Sequence, residues 1–89
     1  MQDTAAILTE RGATHGNWYD NARISQQTKL LWQRQDGWSN LTVTQREALD
    51  MIAHKVGRIL AGNPHFADHW ADLSGYATLV VRELEECLS

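Results

Sequence analysis

Residues 44–62, TQREALDMIAHKVGRILAG, decide the fold class of this chain. Thr44-Gln45-Arg46-Glu47 has the form of a capping box, in which the threonine hydroxyl serves the amide three residues on and the glutamate reaches back to the threonine amide. With successive residues 100° apart, Leu49, Ile52, Val56, Ile59 and Leu60 fall on one face, and Gly62 is placed to end the helix. Start signal, helical period and stop signal together predict a helix from Thr44 to Gly62.

Downstream, Asn63-Pro64 turns the chain into a last helix reaching about Leu88, on which Trp70, Leu73, Ala77, Val80, Leu84 and Leu88 share a face. Upstream, Asp3 or Thr4 caps a short helix from Thr4 to Arg11, with Gly12 placed to end it. Ala13-Thr14-His15-Gly16 reads as a loop, and a second helix runs from about Asn17 to Gln35. Trp38, in the connection from Asp36 to Val43, reads as a core or interface anchor. Pro64 is the only proline, and no alternating β-branched run suggests a strand. The expectation is an all-α fold: a small bundle of about four helices, residues 1–89 forming a single domain, with a C-terminal antiparallel helical hairpin.

The chain has 89 residues, 43% of them hydrophobic and 21% charged, an ordinary globular mix with only a thin core at this length. A homo-oligomer is expected for that reason, with Trp32 or Trp38 in its interface. Net charge is −3, and the acidic excess gathers in the second half, where Glu83, Glu85 and Glu86 make an acidic end. Nucleic-acid binding by bulk charge needs a basic surface, and none is evident. Cys87 is the only cysteine, so no internal disulfide forms, and it reads as a small buried hydrophobe. No signal peptide or membrane span is expected, and the cytoplasm is the expected location.

The informative residues lie away from the apolar faces. Glu47, Asp50, His54 and Arg58, spaced 3, 4 and 4, form one stripe, and Asp68, Asp72 and Gly75 form a stripe on the last helix. Strips of small residues flank them: Ala53, Gly57 and Ala61 on one helix, Ala71, Ser74, Gly75 and Thr78 on the next. Packing the two helices along these strips would put Arg58 level with Asp68, His54 with Asp72, and Asp50 with Tyr76. Lys55 flanks the stripe. Such stripes are commonly solvated surface with weak ion pairs; the alternative is a ligand-binding face of Asp50, His54, Lys55, Arg58, Asp68, Asp72 and Tyr76, joined by His15 from the first loop. His65, Asp68 and His69 lack the cysteines or fourth ligand of a zinc site.

From Gln45 onward, QREALDMIAHKVGRILAGNP followed by DHWADLSGYATLV resembles a family of short phage- and prophage-encoded helical proteins of unknown function, and ERGATHGNWYDNARI resembles that family's N-terminal motif. The resemblance covers most of the chain outside about Gln27 to Thr44. It carries over Arg11, His15, Gly16, Asp20 and Asn21, then Asp50, Lys55, Arg58, Asp68, Trp70, Asp72, Gly75 and Tyr76. More distantly, the helix pair is similar to MazG-like all-α nucleoside triphosphate pyrophosphohydrolases. Those gather magnesium with Glu-Glu-x-x-Glu on one helix and Glu-x-x-Asp on the next. Here only Glu47-x-x-Asp50 matches.

Two functions follow as expectations. One is a binding protein that contacts a host or phage protein, or a nucleotide-like ligand, through the polar face of its last two helices, with no cofactor. The other, implied by the MazG likeness, is a magnesium-dependent nucleotide hydrolase whose metal ligands would be Asp50, Asp72 and Glu47, with Asp68 contributing.

Overall fold

A computed structural model describes residues 4–88, with side chains described at all of these except 6, 9, 10, 87 and 88. The expected cap by Asp3 and the burial of Cys87 lie outside the described residues. The all-α expectation holds: four helices, α1 (Thr4–His15), α2 (Trp18–Gln33), α3 (Val43–Ala61) and α4 (Ala67–Leu88), with one 3-10 turn at Asp36–Asn40. No strand occurs among the described residues, and no helix is long and apolar enough to cross a membrane.

Helix ends differ from expectation for identifiable reasons. Helix α1 runs through Gly12, which faces open space, and stops where Gly16 takes φ +74°, a left-handed conformation that suits glycine. The α3 box is built on Thr42 rather than Thr44: Thr42 Oγ1 accepts from the Gln45 amide at 3.1 Å, and Gln45 Oε1 accepts from the Thr42 amide at 3.0 Å. The sequence holds two overlapping Thr-x-x-Gln/Glu patterns, and the upstream one wins. That frees the Thr44 hydroxyl to donate to Glu83 on α4 at 2.5 Å. Asn17 caps α2, accepting from the Asp20 amide at 2.8 Å while its own amide donates to the Asp20 carboxylate at 2.7 Å. Pro64 stays in the turn before α4, where the His65 amide donates to Asn63 Oδ1.

The helices pack on one another as a small bundle with a thin apolar core. Helix α3 is central, α2 packs on one side of it and α4 on the other, and the C-terminal end of α1 docks on the α3–α4 turn. The molecule is elongated, 48 × 29 × 25 Å. Among the described residues the buried hydrophobics are Ala53 and Ile59, and the buried polar residues are Asn21, Ser25, Lys55 and His69. The small strip of α3 does serve close approach, but toward α2: a Cβ on Gly57 would lie 2.7 Å from the Asn21 carbonyl oxygen. Gly75 has nothing within 4 Å, so the expected small-residue contact between α3 and α4 is corrected. Instead α4 turns His69, Leu73, Tyr76, Val80 and Glu83 inward, with Phe66 half-buried just before it, while Trp70, Leu79, Val81 and Leu84 remain exposed.

Candidate binding site at the helix junctions

The α3–α4 register differs from expectation by one residue. Lys55, not His54, meets Asp72, with Nζ 2.5 Å from Oδ2. Met51, not Asp50, shares a cleft with Tyr76. One residue along a helix is a rise of only about 1.5 Å but a turn of about 100°, so levels stay nearly right while partners change. Lys55 is buried, and its hydrogen bond holds the Asp72 carboxyl below its ordinary range, against a smaller opposing effect of desolvation. The pair clips α3 to α4.

The rest of the expected face divides. Arg58 and Asp68 form no ion pair among the described residues, and Asp68 is exposed. Asp50 and His54 are half-buried, two turns and one turn along α3 from the contact of Gly57 with α2. Asp50 Oδ1 is buried without a hydrogen-bond partner, as is Asn21 Oδ1. The His54 pKa is lowered by burial and then by Arg58, Lys55 and Lys29. Glu47 is exposed beside Tyr76 and Glu83. Among the described residues no three His, Cys, Asp or Glu side chains gather as a metal-holding group, so Glu47, Asp50 and Asp72 are not brought together as such a set.

Two arrangements were not evident in the sequence. The first is the junction of α1 with the α3–α4 turn. The Thr14 carbonyl accepts from His69 Nε2 at 2.7 Å and from the Asn63 amide at 3.0 Å. The His69 ring, 1% exposed, stands edge-on to His15 at 4.8 Å and to Phe66 at 4.9 Å between centroids. His15 has its pKa lowered by burial first, then by Arg58, His69 and Lys55.

The second is a cleft of about 430 Å³ where α1, α2 and α3 meet, lined by Arg11, His15, Gly16, Trp18, Asn21 and Arg58 among others. It brings two of the expected ligand residues, His15 and Arg58, together with Arg11. The signal was present in the sequence: Arg11 and His15 are four apart and share a face once α1 continues past Gly12.

On the opposite, apolar side, one groove is lined by Leu41, Ala48, Leu49, Ile52, Ala77 and Val80, and the next by Trp32, Trp38, Leu41 and Leu49. Leu41 and Leu49 belong to both, so the two are continuous. Comparison with protein-family models, with curated proteins and with solved structures finds no match for this chain.

Proposed function

We propose that this chain is a small helical binding module that works as a homodimer, its apolar side closed by a second copy and its polar side, around Arg58, left for a nucleotide-like or protein ligand. The observation that carries this reading is surplus surface. The chain exposes 6542 Å², whereas a compact monomer of its mass exposes about 5,300 Å². The surplus of about 1,200 Å² exceeds the ~800 Å² that each partner contributes to a standard interface.

The apolar groove running from Trp32 and Trp38 across Leu49 and Ile52 to Val80 supplies the surface. Tryptophans and aliphatic residues at the centre of a patch are what interface cores favour. A two-fold pairing of this face with itself would complete the thin hydrophobic core of one copy. The likeness to short phage-encoded proteins fits a module of this kind. The magnesium-hydrolase reading asks for converging carboxylates, and no feature of the geometry favours it.

Leu49→Glu tests the proposal, because Leu49 lines both grooves. Sedimentation should show the wild type as a dimer and the variant shifted toward monomer. A variant that sediments like the wild type overturns this face as the interface.

A further inference from the structure

We infer that the cleft between α1, α2 and α3 binds the oxyanion group of a small molecule, a phosphate or a carboxylate, between the Arg11 and Arg58 guanidiniums. The inference rests on the reading of the polar side as the ligand side, and is independent of the dimer. The chain carries net charge −3, yet this cleft collects two arginines, neither within ion-pair distance of a carboxylate among the described residues. The carboxylate in the first turn of α2, Asp20, is held by the Asn17 amide at 2.7 Å and faces Arg23 at 3.8 Å.

Two guanidiniums lining one cleft, neither ion-paired among the described residues, offer an oxyanion the paired donors that match its geometry. The N-terminal end of α2, at Asn17 and Trp18, opens on the same cleft and adds its positive dipole end. The walls are held in place: Asn21, 5% exposed, donates from Nδ2 to the His15 carbonyl at 2.7 Å and so ties α2 to the end of α1. Burial first, and then Arg58, lowers the pKa of both His15 and His54. At about 430 Å³ the space suits a small ligand, and Trp18, 73% exposed on its rim, offers a flat apolar surface for the ligand's body.

The test is calorimetric titration of the full chain with sodium pyrophosphate and, separately, with succinate, at constant ionic strength against a sodium chloride blank. Saturable binding of at least one ion is expected, and which one binds distinguishes phosphate from carboxylate chemistry. Arg11→Gln and Arg58→Gln should each weaken binding at least tenfold, while Arg82→Gln, on α4, should leave it unchanged. Arg11 is exposed, so its variant keeps the fold even if Arg58→Gln does not. No saturable binding of either ion to the wild type, or undiminished binding by Arg11→Gln, overturns the inference. Light scattering on the same samples reports the dimer, so failure of the cleft and failure of the assembly are told apart.

Discussion

His69 Nε2 donates to the carbonyl of Thr14 at 2.7 Å, joining two residues 55 positions apart at the point where α1, the α3–α4 turn and α4 converge. The ring is the largest fully buried side chain and is packed by His15 and Phe66. His69→Ala removes packing and a buried donor together, and should cost about 2–4 kcal/mol. Chemical denaturation at fixed protein concentration measures it. A loss below about 1 kcal/mol would mean that this junction does not hold α1 in place.

The glycines within α3 and α4 should respond differently. Gly57→Ala drives a methyl into the Asn21 carbonyl and should destabilise by about 1–3 kcal/mol. Gly75→Ala meets nothing within 4 Å and should be neutral or stabilise by up to about 1 kcal/mol, the gain in helix propensity. Thermal melts of both variants decide it, and equal losses would contradict the assignment of the close approach to α2.

Two pH windows follow from the perturbed groups. His15 and His54 have lowered pKa values, burial being the leading cause and Arg58 the next. The fold therefore prefers neutral rings: their contribution is full above about pH 6.5, the ordinary value, and is lost as pH falls through the lower folded values. Urea midpoints should drop between pH 7 and 5, and drop less in His54→Gln. Asp72 acts lower. Its carboxyl is depressed by Lys55, so its contribution is present above about pH 4 and lost as pH falls through the folded value. Asp72→Asn should flatten that acid limb; an unchanged acid limb would mean that the clip contributes nothing in solution.

How much of this was legible in the sequence divides by physical scale. Helices α3 and α4 are readable from their apolar period and, for α3, from the stop at Gly62, although the α3 cap lies two residues before the expected one. The end of α1 was not, because Gly12 looks like a terminator but lies on an open helix surface, and the chain turns only at Gly16. Which face is inside was misread at α3 and α4. The rule that apolar faces point inward presumes a thick core, and with α3 between α2 and α4 the flanks of α3 are what is buried. The sequence places Lys55 on the ligand face and His69 only beside a poor zinc pattern, because the partner of a buried lysine and the seat of a buried ring depend on a helix register that the sequence does not show. Of the expected ligand face, Arg58 and His15 share a cleft, whereas Lys55 and Asp72 are joined to each other.

Light scattering of the wild type over a range of micromolar concentrations tests the central claim, that the apolar side is closed by a second copy. The account predicts a species of twice the 10.1 kDa chain mass throughout that range. A single 10.1 kDa species at high micromolar concentration would contradict it.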